Sequence, residues 1–490
     1  MTSSRPRGDL RAAIASVRAS HWTPLPIILA ATFMVVLDFF IVNVALPSMQ
    51  ARLHASAGSV EWVVAGYSLT SAVLLIAASR LGDRFGRRRL FAVGLTVFTV
   101  GSAGCGVAPN ATLLVVARLV QGVGAAMLMP NVLALIGALY DGPDRLRALS
   151  AYGMVMGLAA VGGQLIGGVL LEANLAGLGW RTVFLINLPI GAGAVMLTRA
   201  LVPESKAPQS GRVDLAGTAL ATAAVTAIVL PLVEGQAHGW PLWTWISLGT
   251  APLLVAGFVV QQRRLAATGG DPLLAPGLFA SRAFTAGLAG QVVFWCGQAS
   301  FFLVLALYLQ EGRRMSALHS GLVFTILAVA YLATSLRAPA LTAVHGRRVL
   351  AVGALALAAG HAVLVSTVMT VGVGGSVLAL TPGLILVGAG MGLGVTPLAT
   401  LVMNSAPQAH LGSASGVLAT AQNIGTAIGV AGIGAIFYGA LDHGFAVAFE
   451  RGVGTLAVVL LVVAALTRLL PDGHVRKPRG IRAGSRGSRG

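Results

Sequence analysis

The sequence predicts an all-α integral membrane protein of about fourteen spanning helices, and three observations carry that prediction. Of the 490 residues, 56% are hydrophobic and only 10% are charged, whereas soluble domains carry about 25% charged residues. Apolar runs of about 20 residues, the length that crosses a ~30 Å hydrocarbon core, recur along the whole chain. The basic residues, finally, concentrate in every second connecting segment.

The runs are 24–47, 59–79, 89–108, 111–133, 148–171, 179–201, 214–233, 243–262, 283–308, 318–336, 348–371, 376–403, 412–438 and 446–469. The first is too long for a signal-peptide core, and further spans follow it. It reads PLPIILAATFMVVLDFFIVNVALP and holds one acid, Asp38. A carboxylate at that depth costs about 2.5–3.5 kcal/mol on insertion scales, so it marks function. The second run leads into SRLGDRFGRRRLF (Ser79–Phe91), where Asp83 stands among five arginines. The fourth carries a base, Arg118, with Gln121 one turn away on the same helix. The fifth reads GMVMGLAAVGGQLIGG, with Gly153 and Gly157, then Gly163 and Gly167, at four-residue spacing; Gly168 follows. The thirteenth repeats that spacing at Gly412/Gly416 and Gly425/Gly429. Small residues so placed let helices approach closely in lipid, and seams of this kind can slide. The seventh and eighth runs have acids only near their ends, Asp214 and Glu234. Phe294, Trp295, Gln298 and Tyr331 fall in the ninth and tenth, and His361 in the eleventh.

With the N-terminus inside, 27 of the 33 basic residues fall in cytoplasmic segments and four in outer loops, Arg52, Arg313, Arg314 and Arg451. Both termini are therefore expected in the cytoplasm of a multi-pass cell-membrane protein. The net charge of +18 reads as topology and attraction to anionic inner-leaflet lipid, not as nucleic-acid binding. Residues 10–18 suggest a short interfacial helix, and the Gly/Arg/Ser-rich tail reads as disordered. Cys105 and Cys296 lie in separate spans with no metal or redox spacing. No phosphate loop, Ser/His/Asp set or metal-spaced cluster appears, which argues against a primary pump or an intramembrane hydrolase, and the chain is not expected to be an enzyme.

Helix rise places Asp38 about 21 Å into its span and Arg118 about 10 Å from the opposite surface. In spans about 35 Å long the two fall at matched depth, which points to a facing pair. Burial and a nearby guanidinium act on a carboxyl in opposite senses, so a carboxylate under both can take and release a proton as its surroundings change. Asn43, Gln121 and Gln164 add intramembrane amides, and Trp295 and Gln298 extend the candidate substrate pathway. Asp83 with Arg84, Gly86, Arg87 and Arg88 reads as a conformational latch, the acid bridging to an arginine or a helix N-terminus and the glycine permitting the turn. Glu61 and His361 are the next titratable candidates.

These motifs resemble the major facilitator superfamily, in particular its fourteen-helix drug:proton antiporter branch, over residues 24–470. LDFFIVNVALP (Leu37–Pro47) is similar to the first-helix motif, SRLGDRFGRRR (Ser79–Arg89) to the loop motif, and RLVQG (Arg118–Gly122) to the fourth-helix motif. GLAAVGGQLIGG (Gly157–Gly168) resembles the antiporter motif, and GWRTVFLINLPIG (Gly179–Gly191) is typical of the branch's sixth helix. Departures are Ser79 for the loop motif's first Gly, Phe40 for Thr, and Gln164 for Pro. LTAVHGRRVL (Leu341–Leu350) lacks the acid of a second latch.

The resemblance implies two six-helix bundles, 24–201 and 283–469, flanking two inserted helices at 214–262, with a cytoplasmic segment 1–23 and a basic tail 470–490. It implies a monomer that needs no cofactor and exports amphipathic or cationic small molecules in exchange for protons. Asp38 would be the proton site and Arg118 its partner. The alternatives are a proton-coupled importer of a nutrient on the same fold, and a non-transporting receptor or scaffold.

Overall fold

A computed structural model of the protein describes residues 21–206, 214–270, 272–274, 276–406 and 411–466. The expected interfacial helix at 10–18 and the basic tail lie outside the described residues. Among the described residues the regular structure is entirely helical. Thirteen helices are long and apolar enough to cross a membrane, and a fourteenth span is bent by 51° between Trp62–Leu75 and Ala77–Phe85.

In chain order the spans are α1 (Pro24–Leu53), α2 (Ala57–Phe85), α3 (Arg87–Val107), α4 (Ala111–Leu139) and α5 (Gly142–Ala173). Next come α6 (Gly179–Leu201), α7 (Leu215–Ala237), α8 (Leu242–Ala267) and α9 (Arg282–Leu307). The last five are α10 (Ala317–Ser335), α11 (Arg348–Val371), α12 (Thr381–Asn404), α13 (Leu411–Tyr438) and α14 (Phe445–Leu466). Polar residues start several of them. Ser56, Asn110, Ser281 and Ser316 each accept a backbone N–H of the first turn, removing an orphan donor where the chain re-enters the apolar layer.

Two departures from the expected elements stand out. Helix α1 runs past its expected end at Pro47 to Leu53, because a proline removes a single ladder bond and neighbouring helices tolerate that loss in a span. A short helix, Ala338–His345, forms between α10 and α11 with only Ala338 buried. It contains the start of the LTAVHG stretch read as a degenerate loop.

The packing repeats. Helix α4 rests on α2 and α3, α5 on α1, and α6 on α3; eight helices later α12 rests on α10 and α11, α13 on α9, and α14 on α11. Lipid provides no hydrophobic drive between helices, so close approach at small residues holds these pairs. A Cβ at Gly94 would meet Met127 and the Gly124 carbonyl, and one at Gly353 would meet Leu393 and the Gly390 carbonyl. Seven residues on, Gly101 lies on Gln121 and Gly360 on Val387. Likewise Gly163 and Gly167 lie on Leu37 and Ile41 of α1, and Gly425 and Gly429 on Val292 and Cys296 of α9.

The two halves meet where α5 packs on α10 and α2 on α13. The glycines of α5 therefore serve two faces. Gly163 and Gly167 close onto α1 within the half, while Gly157 meets the Tyr331 ring and Gly168 the Ala317–Leu318 backbone of α10, across it. Helix α7 lies against both α2 and α13, and α8 packs on α7. Asp214 fastens that hairpin: it accepts from Gly217 N at 2.8 Å, Gln261 Nε2 at 2.9 Å and Gln262 Nε2 at 2.6 Å.

Close packing at one glycine and open space at another on the same helix give a direct check. Gly429→Val should destabilise the protein by about 1–3 kcal/mol through overpacking on α9, whereas Gly432, with no atom within 4 Å of an added Cβ, should accept Val with little change. Thermal melting in detergent reads the difference.

Candidate functional site

Asp38 and Arg118 are fully buried, and the structure brings them together: Arg118 Nη1 donates to Asp38 Oδ2 at 2.5 Å. The same nitrogen donates to Gln121 Oε1 at 2.8 Å, and Arg118 Nε donates to the Val63 carbonyl at 2.8 Å. Gln121 turns its amide nitrogen back to Asp38 Oδ1 at 2.8 Å. The other terminal nitrogen of Arg118 has no hydrogen-bond partner among the described residues, but the guanidinium lies 4.2 Å over the Tyr67 ring, an attraction that strengthens where water is excluded.

Two residues to which the sequence reading gave no role complete the shell. Asn187 Nδ2 donates to Asp38 Oδ1 at 2.9 Å and to Ser102 Oγ at 3.0 Å, while Ser102 donates to the Phe184 carbonyl at 2.9 Å. Asn187 sits at the break in α6, where Thr182–Leu185 gives way to Asn187–Leu201. The site thus draws on α1, α2, α3, α4 and α6. Every group facing the carboxylate donates, so a proton added to either oxygen would face a donor, and the shell would have to rearrange to accept it.

Among the described residues the second half has no counterpart to this pair. Matching the glycine contacts of the two halves puts Val293 in the place of Asp38, Leu384 in that of Arg118, and His361 in that of Ser102. His361 is buried, with Nδ1 at 2.6 Å from the Leu357 carbonyl and its ring 4.8 Å from Phe301. An acid, a base and their amides are built into one half only.

Beside the charged site lies a narrow, partly open cavity. Helices α1 (Phe39, Asn43, Leu46), α2 (Val64, Ala65, Ser68), α7 (Leu232), α9 (Ala299, Leu303) and α13 (Thr426 to Tyr438) line it. It occupies the half of the membrane layer away from the Arg-rich loop. An apolar wall with a few hydroxyls and one amide suits amphipathic ligands. Phe39, next to Asp38, reaches it; the Phe39 ring is 6.3 Å from Tyr67, which in turn underlies Arg118.

Of the five residues expected along the substrate pathway, Asn43 lines this cavity. Gln121 belongs to the charged network. Gln164 donates to the Phe40 carbonyl at 3.3 Å, and Phe40 packs its ring 4.8 Å from Phe302 across the halves. Trp295 donates to Gln291 at 3.0 Å, and Gln298 is buried in α9.

In the Arg-rich loop, Asp83 takes the local option. Arg87 donates to Asp83 Oδ1 at 2.8 Å across the Gly86 turn, while Arg84 is exposed, stacked 5.5 Å over Phe85. Gly86 has φ 111°, a conformation glycine adopts without strain. The N-terminus of α3 is taken by Glu204, beyond α6. Its Oε1 accepts Arg88 N at 3.0 Å, and its Oε2 lies 3.5 Å from Arg88 Nε and 3.6 Å from Arg89 Nε. A Cβ on Gly86 would strike that carboxylate. Arg80 donates to the Pro272 and Leu273 carbonyls at 2.5 and 2.7 Å, tying α2 to the connection that precedes α9.

Fourteen apolar spans in two repeated halves, with one buried charge pair beside an amphipathic cavity, define a multi-pass membrane transporter. The profile of the Major Facilitator Superfamily matches residues 28–430, and the chain belongs to that family. It is 36% identical to a probable actinorhodin transporter of Streptomyces coelicolor, covering 93% of this chain and 80% of that protein. It is 35% identical to the puromycin resistance protein pur8 of Streptomyces alboniger, over 93% and 92%. Against the cephamycin export protein CmcT of Amycolatopsis lactamdurans the identity is 33%, over 97% and 98%. Among solved structures, a peptide transporter POT in complex with sulfate superposes with a TM-score of 0.64 at 18% identity, over 92% of this chain and 96% of that one. The human organic anion transporter MFSD10 (TETRAN) does so at 0.63 and 14%, over 91% and 99%. These two likenesses concern the fold.

Breaking a buried pair from one side strands a charge, at a cost of about 3–5 kcal/mol, whereas replacing both partners with apolar groups is far milder. Arg118→Leu should therefore lower the melting temperature in detergent more than the double variant Asp38→Leu, Arg118→Leu does.

Proposed function

We propose that this protein exports amphipathic or cationic small molecules across the plasma membrane in exchange for protons, with both termini and the Arg-rich loop in the cytoplasm. The observation that carries the reading is the sealed Asp38–Arg118 shell lying back to back with the cavity on a single helix, α1. Relatives named for drug resistance and antibiotic export support the direction of transport.

In this reading the cavity lies in the outer half, and the structure corresponds to a carrier closed at its cytoplasmic end. Asp38 is the proton site. Protonation removes the countercharge of Arg118, which keeps the Val63 carbonyl and Gln121 but loosens its hold on α1. Because Phe39 and Asn43 are on the same helix, that change reaches the cavity wall as a shift of α1 against α2. The unprotonated state holds substrate and the protonated state releases it outward. Return of the proton to the cytoplasm resets the cycle, as population shifts require each ligand to prefer one conformation.

The Arg-rich loop sets the balance between the two conformations. Arg80 bridges the halves and Glu204 holds the start of α3, so both must yield when the cytoplasmic end opens. Asp83, Arg87 and Gly86 shape the turn that positions them. Asn at position 83 should slow transport several-fold with membrane insertion intact, since the turn biases an equilibrium and does not hold the fold. Normal flux in Asp83→Asn would remove the loop from the mechanism.

The central test uses everted vesicles with an acidified lumen and a cationic dye supplied outside, at the former cytoplasmic face. Asp38→Asn keeps the shape of the side chain but cannot titrate, so proton-driven dye transport should fall to background. Uphill pumping by this variant at the normal rate would place the proton site elsewhere. Proton-driven accumulation of the dye inside intact cells, with none inside everted vesicles, would indicate uptake instead of export.

A further inference from the structure

We propose that the inserted helix α7 is a wall of the substrate cavity, with Glu234 at its rim selecting for cationic substrates. This rests on the reading of the cavity as the substrate site. An inserted pair that merely joins two bundles has no need to reach the interior. Yet Leu232 lines the cavity, and Val225 and Val229 form one apolar stripe with Ala65 and Ala72 of α2 and Ala427 of α13. Helix α7 so closes the seam where the two halves meet, and it would contact substrate from a direction neither bundle covers.

The fifteen lining residues carry no charge, and Asp38 is sealed behind Phe39 and Tyr67. A cation entering an apolar cavity needs a countercharge near by. Glu234, two residues further along α7 than Leu232 and turned from the lining face to the α2 wall that the cavity shares, supplies one. The indole of Trp62 on α2, two residues before the lining residue Val64, donates to its Oε1. His238 Nδ1 lies 3.1 Å from its Oε2. The carboxylate is about one-fifth exposed and is held at the α2–α7 contact by Trp62. Its recognised ligand is an organic cation with a hydrophobic body.

Glutamine at this position separates charge from tethering, because its carbonyl still accepts the Trp62 indole. Binding is measured on the purified full-length protein in lipid nanodiscs with two probes of similar shape, tetraphenylphosphonium and the neutral triphenylphosphine oxide. Glu234→Gln should weaken tetraphenylphosphonium binding about five- to tenfold and leave triphenylphosphine oxide unchanged. Leu232→Trp should weaken both probes, while Leu253→Trp, on the exposed face of α8, should weaken neither. Equal effects of Glu234→Gln on both probes, or none on either, would overturn the charge assignment. Asn43→Trp blocks the opposite wall of the cavity. If it weakens binding and Leu232→Trp does not, α7 fails as a wall while the cavity stands. If neither weakens binding, the cavity reading itself is wrong, and the proposal falls with it.

Discussion

A carboxylate and a guanidinium cannot stay in the middle of an apolar bundle unless they pair with each other and with further polar groups, and the N-terminal half is built around that requirement. Asp38 accepts from Arg118, Gln121 and Asn187, and Arg118 directs Nε and Nη1 to Val63 and Gln121 and its π face to Tyr67, leaving Nη2 without a hydrogen bond among the described residues. Each partner comes from a different turn of a neighbouring helix. The glycines that let α3 and α4 approach, Gly101 on Gln121 and Gly124 on Phe98, are what bring Ser102 within 3.2 Å of the Gln121 amide. Chemistry and packing are the same constraint there.

The repeat makes the asymmetry informative. Both halves use the same glycine-mediated helix pairs, but the second fills the equivalent positions with Val293, Leu384 and Val387 around His361. In the reading proposed above, a half without this charge pair gives the titratable one a body to move against. The contacts across the halves suit that motion: glycine faces of α5 on α10, and the Phe40–Phe302–Phe324 stack, with rings 4.8 and 5.4 Å apart. Neither contact depends on hydrogen bonds that a sliding helix would have to break.

Much of the fold was legible because lipid imposes a length and a polarity on every span. Fourteen runs could be read from hydropathy alone, and Asp38 and Arg118 could be placed at one depth from helix rise. The rest of the shell was less legible. Asn187 and Ser102 are single polar residues in apolar segments, indistinguishable in sequence from packing residues until the break in α6 aims one at the other. Glu204 lies far along the chain from the α3 N-terminus it caps, so the loop motif pointed to Asp83, whose partner is the local Arg87. Apart from Asn43 the cavity left little trace, since most of its wall is Ala, Val, Leu and Gly, the same residues that face lipid. Trp295 and Gln298 drew notice because they are polar or aromatic; the structure places both outside the cavity lining.

The most direct measurement is proton release on substrate binding. Purified protein in weakly buffered detergent solution, titrated with a bound cationic drug and followed with a pH indicator, should release about one proton per molecule at a pH where Asp38 is protonated in the free carrier. The account predicts that Asp38→Asn binds a neutral substrate with no release at all. Undiminished release from Asp38→Asn would contradict it.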